Sequence, residues 1–162
     1  MAHDDLLDFD YYKVPLAKTS DDYYTPKWVF DALGLQFDID VASPVGGIPW
    51  IPAKNYFTQY DDGLVQDWAG NCVWMNPPYS KPAPWIDKWL ANGNGVALLP
   101  MSKSKWFDVL WAQADALLAM PCNLKFSTGE ANNVSISVPV LLAAMGIENA
   151  NALKASGLGI VR

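Results

Sequence analysis

Cys72-Val73-Trp74-Met75-Asn76-Pro77-Pro78-Tyr79 joins two kinds of backbone that cannot continue into each other. The first four residues are a compact apolar run of strand length, and the two prolines that follow cannot donate to a ladder and so end it. Working upstream, Phe37-Asp38-Ile39-Asp40-Val41 alternates at period two and runs into the small-residue loop Ala42-Ser43-Pro44-Val45-Gly46-Gly47. Ahead of it, Thr25 is placed to cap a helix with Pro26 at its first position, Lys27 to Leu33 as its body and Gly34 as its stop. Residues 44–63 read as loop-rich. Working downstream, Trp85, Ile86, Trp89 and Leu90 keep helical spacing until Gly93-Asn94-Gly95. Gly95 to Pro100 is a second buried-type strand, followed by Ser102 as a cap and a helix through Trp106, Phe107, Leu110 and Trp111. Ala116 to Met120 reads as a further strand ending at Pro121, and Val134 to Met145 holds one or two more in a hairpin-like C-terminal part. Alternating strands and helices, with strands apolar on both faces, predict an α/β sheet whose ligands bind outside the carboxyl ends of the strands. Residues 1–22, acidic and without period, read as an arm, and residues 23–162 as one domain.

The bulk composition agrees with one core. The chain has 162 residues, of which 51% are hydrophobic and 17% charged, within the range of a single globular domain. A net charge of −6 argues against a protein that coats nucleic acid, because such affinity comes from cations neutralising phosphates. A local basic strip can act inside an acidic molecule, and Lys81, Lys88, Lys103 and Lys105 fall close together in sequence. The single arginine is Arg162, so bidentate arginine readout of guanine would have to come from the tail. The longest apolar stretch, residues 112–121, is interrupted by Gln113 and Asp115 and falls short of the ~20 residues a bilayer needs. No membrane span is expected. The N-terminus carries Asp4, Asp5, Asp8 and Asp10 rather than a basic, apolar leader, so a cytoplasmic protein is expected. Cys72 and Cys122 lack metal spacing and read as reduced core residues. No internal repeat is visible.

The chemistry concentrates in Asn76-Pro77-Pro78-Tyr79. An amine attached to an aromatic ring is a poor nucleophile because its lone pair is delocalised, so a catalyst must hold both amine hydrogens and draw the nitrogen toward tetrahedral geometry. The Asn76 side-chain carbonyl and the Pro77 main-chain carbonyl are two such acceptors, proline having lost its donor but not its acceptor. The prolines hold the acceptors rigid against developing positive charge on nitrogen, and Tyr79 can stack on a flat ring. No metal or covalent intermediate is called for. The competing reading of the tetrapeptide is a plain turn after a strand.

Taken in order, further segments resemble one family. They are Tyr24-Thr25-Pro26 with Trp28, Phe37 to Ser43, Ala53-Lys54-Asn55-Tyr56-Phe57, Asp61-Asp62-Gly63-Leu64 with Asp67-Trp68, Trp74 to Ser80, Leu98-Leu99-Pro100 with Trp106-Phe107, and Leu124-Lys125-Phe126. Over about residues 23–143 the chain resembles the short phage and prophage DNA N6-adenine methyltransferases, often called Dam-like. The resemblance implies a three-layer class I (Rossmann-like) methyltransferase sheet, mostly parallel, with a C-terminal antiparallel hairpin in a compact version. It implies transfer of a methyl group from S-adenosylmethionine to a flipped adenine in double-stranded DNA, with protection of a phage genome from restriction as the suggested role. A phage-encoded protein would work in the host cytoplasm.

By the same resemblance, Thr25, Pro26, Asp40, Ala42 and Ser43 would lie against the cofactor. Small residues let backbone approach its methionine part, and nearby carboxylates favour its ammonium and sulfonium charges. Asp38 and Asp40 share a strand face, and Asp40 is favoured because it stands at the strand end. The chain departs from the wider methyltransferase pattern in offering Ser43-Pro44-Val45-Gly46-Gly47 where a Gly-x-Gly loop is usual. Asp62 and Asp67 are candidates for adenosine or the amine, with a hydrated acidic loop as the alternative. Lys103 and Lys105 are expected on phosphates, and Asn123, Asn132 and Asn133 as candidate readers of adenine edges. The acidic arm is a candidate organiser of a homodimer. Two other readings fit the same loop or charge. One is an amine methyltransferase of RNA or protein glutamine, and the other a non-catalytic phage accessory protein that keeps the fold.

Overall fold

A computed structural model of the chain describes Asp21, residues 24–121, the backbone of residues 125–127 and 133–135, and residues 138–162. The elements are α1 (Lys27–Leu33), β1 (Phe37–Asp40), β2 (Ala53–Tyr56), β3 (Val73–Met75), α2 (Ala83–Asn92), β4 (Gly95–Pro100), α3 (Lys105–Gln113), β5 (Ala116–Ala119), β6 (Lys125–Ser127), β7 (Asn133–Ser135), β8 (Val140–Met145), α4 (Ile147–Ala155) and β9 (Ile160–Val161). Seven strands form one sheet in the order β2-β1-β3-β4-β8-β5-β9, and β6 pairs with β7 apart from it. The pairs β1–β2, β1–β3 and β3–β4 are parallel. The pairs β4–β8, β5–β8 and β5–β9 are antiparallel. The sheet is therefore mixed rather than mostly parallel, because β8 enters between β4 and β5 and β9 adds a short edge. An antiparallel C-terminal pair does exist, with Phe126 opposite Val134, but it stands outside the main sheet.

Period-two alternation divides the core. Along β4, Val96 and Leu98 join one buried cluster while Ala97 and Leu99 join the other, and along β8 Leu142 and Ala144 oppose Leu141 and Ala143. The first cluster is covered by Val29, Phe30 and Leu33 of α1 with Ala150 and Leu153 of α4, the second by Ile86 and Trp89 of α2 with Leu110 of α3. Two helices on each face make three layers, which is why the strands read as continuous apolar runs. Trp74 anchors the first cluster, its ring edge-on to Phe30 at 4.6 Å, a pairing worth about 0.5–1.5 kcal/mol beyond its buried area.

The element ends correct several expectations. Pro26 stands at the N-cap of α1 with extended backbone and no side chain caps that helix, so Thr25 is not a cap. Gly34 does close it, at φ 63°, with its N–H on the Phe30 carbonyl at 3.0 Å. Ser102 does not cap α3 either; Ser104 precedes that helix, and the Ser102 hydroxyl accepts the Ser104 N–H at 3.1 Å one turn earlier. Residues 44–63 contain the edge strand β2, whose largely exposed Ala-Lys-Asn-Tyr lacks an apolar face to betray it. The helix α4 and the edge strand β9 follow Met145, where the sequence pattern assigns no element. Cys72 is a free, half-buried thiol whose pKa burial pushes up; Cys122 lies outside the described residues, as does the arm apart from Asp21. Among the described residues no helix is long and apolar enough to cross a membrane.

Candidate active site

Parallel pairing puts the carboxyl ends of β2, β1, β3 and β4 on one edge. There the two small-residue loops become neighbours. The Val41 N–H donates to the Trp74 carbonyl at 3.1 Å, joining the chain just before Ala42-Ser43 to the chain just before Asn76. On the other side, Phe57 N–H donates to the Asp40 carbonyl and Ser43 N–H to the Phe57 carbonyl, both at 2.8 Å. The loop after β1 is thus held between β2 and β3.

Asp40 is only 3% exposed. Its Oδ1 accepts the Ala42 N–H at 3.3 Å. Burial pushes its carboxyl up to about 7, opposed by the Ala42 N–H and by the Ser43 hydroxyl close by. That hydroxyl nevertheless lies outside hydrogen-bond geometry, since Ser43 Oγ is buried without a partner. Thr25 Oγ1 is likewise buried and unsatisfied, while the Thr25 carbonyl accepts the Trp50 indole N–H at 2.9 Å. Pro26 is buried and Ala42 partly so. Asp38 has a different job. Its carboxylate accepts the Cys72 N–H at 2.8 Å and Lys54 Nζ at 3.0 Å, which holds its pKa below the ordinary value and ties β1 to both neighbours.

Asn76 and Pro78 are partly buried and Pro77 is buried. The Lys81 N–H returns to the Pro78 carbonyl at 3.2 Å, closing the loop as a turn. Tyr79 packs part of its ring on the cluster under α1 and α4, and its hydroxyl donates to the Leu98 carbonyl at 3.5 Å. Burial raises its pKa, so it stays a phenol. The residue as a whole is partly buried. The last residue of the loop region, Ser80, is held by Asp21: the carboxylate accepts its N–H at 3.1 Å and its Oγ–H at 2.7 Å.

Lys103 and Lys105 are exposed beyond the end of β4, and Lys81 is exposed beside the loop. Lys88 leaves the expected basic strip. Its ammonium donates to the Leu64 carbonyl at 2.7 Å and to the Gln66 carbonyl, and sits 4.8 Å over the Trp68 ring. Asp62 and Asp67 are spent on turns, accepting the Leu64 and Ala69 N–H groups. Between them, Gly63 approaches the sheet so closely that a Cβ there would stand 2.1 Å from the Val41 carbonyl. The sequence offered only an Asp-Gly turn signal for this contact. Asn123 and Asn132 lie outside the described residues, and nothing is described of the Asn133 side chain.

Comparison with known proteins adds a family. The family model described as DNA N-6-adenine-methyltransferase (Dam) matches residues 14–139. The DNA N-6-adenine-methyltransferase of Haemophilus phage HP1 (strain HP1c1) is 36% identical over 95 residues, covering 52% of this chain and 53% of that protein. The chain thus spans about half the length of the phage relative it matches. No solved structure matches it. With the model spanning most of its residues, both strand-end loops included, the chain belongs to the DNA N-6-adenine-methyltransferase (Dam) family.

Proposed function

We propose that the chain is a phage-encoded, site-specific DNA adenine-N6 methyltransferase that uses S-adenosylmethionine on a class I, Rossmann-like sheet. The observation that carries this is the juxtaposition of two small-residue loops, Asp40 to Ser43 and Asn76 to Tyr79, across the Val41–Trp74 hydrogen bond. Two reactants need such neighbouring seats if they are to meet without a free collision. The residues present fit the cofactor. Buried hydroxyls of Thr25 and Ser43 lack partners, and the buried Asp40 carboxylate has no basic side chain among the causes of its shift; a cationic, hydroxyl-rich ligand supplies what these groups lack. Bound there, S-adenosylmethionine provides an electrophilic methyl group.

The chain's own residues then act on the acceptor base. Adenine stacked in a duplex cannot reach the loop, so it must be flipped out, at a cost of about a few kcal/mol. Tyr79, at the end of the loop, stacks on it, and the exposed Lys103 and Lys105 hold backbone phosphates. The Asn76 side-chain carbonyl and the Pro77 main-chain carbonyl each accept one amine hydrogen, localising the lone pair and stabilising the charge that grows on nitrogen.

The test is incubation of the purified chain with labelled S-adenosylmethionine and unmethylated double-stranded DNA, then nucleoside digestion and mass analysis. N6-methyladenine is the expected product. Label carried instead by RNA or protein glutamine would overturn the substrate, and failure to bind S-adenosylmethionine in calorimetry would overturn the enzyme.

A further inference from the structure

Asn76 and Pro77 can act as fixed acceptors only if the loop carrying them is fixed. Pro77 and Pro78 have no N–H to tie it down, so beyond Asn76 the next backbone donors of the segment are Tyr79 and Ser80. Tyr79 reaches the sheet through a hydroxyl bond of 3.5 Å, at the long limit for such a contact. The stronger restraint lies at Ser80, where one carboxylate, 59 positions earlier in the chain, takes both the backbone N–H and the hydroxyl at 3.1 and 2.7 Å. These are charge-assisted bonds, shorter and stronger than neutral ones. Four residues after Asp21 comes Thr25, whose carbonyl is held by the Trp50 indole and whose hydroxyl is an orphan of the cofactor side. Asp21, bonded beside the catalytic loop, thus lies only four positions before Thr25 on the cofactor side.

Resting on the function proposed above, we infer that Asp21 is a positioning residue, clamping Ser80 so that the Asn76 and Pro77 acceptors keep their aim relative to the cofactor seat. It touches neither substrate nor cofactor. Its effect passes through Ser80 to a loop in which displacement by about 1 Å costs on the order of a hundredfold in rate. Loosening one end of a loop still held by its prolines costs less.

The test uses the full chain as wild type, Asp21→Ala, Asp21→Asn, Ser80→Ala and the Asp21→Ala/Ser80→Ala double variant. Steady-state turnover on unmethylated duplex DNA is read beside amide hydrogen exchange of the peptide spanning residues 76–82. Asp21→Ala and Ser80→Ala are each expected to lower kcat about tenfold with cofactor Kd little changed, because an interaction lost in the transition state appears in kcat. The double variant should fall no further than the worse single one, as befits two partners of one contact. Asp21→Asn, which keeps one acceptor, should recover part of the loss. Exchange of the 76–82 peptide should quicken about tenfold in Asp21→Ala while the β4 and β8 peptides stay as they were. Wild-type kcat in Asp21→Ala, a rise in kcat, multiplying losses, or unchanged exchange would each overturn the inference. Absence of methyl transfer by the wild type would overturn the proposed function instead, and the exchange arm would still decide whether Asp21 clamps the loop.

Discussion

Asp40 shows at a single residue how stability and binding pull apart. Its carboxyl titrates near 7 in the fold against an ordinary 3.8. Between those values the unfolded chain has released a proton that the native chain still holds, so this residue's contribution to stability falls as pH rises from about 4 to about 7 and is level above. Asp40→Asn removes the burden of a buried charge. At pH 8 it is expected to be more stable than wild type by an amount on the order of 2–4 kcal/mol, a gap that closes on titration to pH 4. The same variant should bind S-adenosylmethionine more weakly, since a neutral amide no longer favours a cation. Paired denaturant melts across that range, with calorimetry of cofactor binding, check both halves; a stability gap that does not move with pH would refute the assignment. Asn76 makes the complementary case. Asn76→Ala is expected to lower kcat by about 10²–10³-fold, the usual cost of deleting one preorganised partner of a transition-state charge, with cofactor affinity kept. Single-turnover quench measurements read this directly, and near-normal turnover would sink the two-acceptor mechanism.

At the scale of elements, the loop between β2 and β3 is stitched to the sheet at Gly63. Gly63 lies under the Trp85 ring and against the Val41 carbonyl, so a methyl group at this position must push the loop away from the end of β1. Gly63→Ala is expected to cost roughly 1–3 kcal/mol, a loss of about 3–9 °C in Tm, and to weaken cofactor binding through the displaced Ala42-Ser43 segment. Calorimetric melting decides it, and an unchanged Tm would show that the loop gives way freely. This contact also marks where the sequence stopped being legible. Strands β1, β3 and β4 and helices α1 and α2 announce themselves because burial imposes a period that glycines punctuate at Gly34 and Gly93. Strand β2 carries exposed polar residues and β9 has two residues at an edge, so no hydrophobic pattern marks either. The helix α4 buries only Asn149, Ala150 and Leu153, a pattern too sparse to read. The candidate site divides likewise: Asn76 to Tyr79 and Asp40 to Ser43 were visible as strand ends, whereas the Asp21–Ser80 and Gly63–Val41 contacts join distant segments that only the sheet brings together.

On the function proposed, the whole molecule has to attract a polyanion while carrying a net charge of −6. Long-range attraction is therefore weak, and affinity has to come from the few cations that face DNA at short range, where screening matters less. Lys88 is unavailable, its ammonium being committed to two loop carbonyls and the Trp68 ring. Lys103 and Lys105 remain exposed beyond the end of β4, on the edge that holds Asn76 to Tyr79. Each phosphate neutralised releases a condensed counterion and adds about 0.9 to the slope of log K against log salt. Lys103→Gln with Lys105→Gln is accordingly expected to flatten that slope by about two and to weaken binding to specific and unrelated duplexes alike. Fluorescence anisotropy titrations at several salt concentrations, on DNA with and without adenine target sites, measure both quantities. An unchanged slope would mean that the phosphates meet another surface, and a loss confined to one sequence would mean that these lysines read bases. A uniform loss with a flatter slope would establish them as the positioning cations of an otherwise acidic enzyme, leaving sequence choice to contacts elsewhere in the chain.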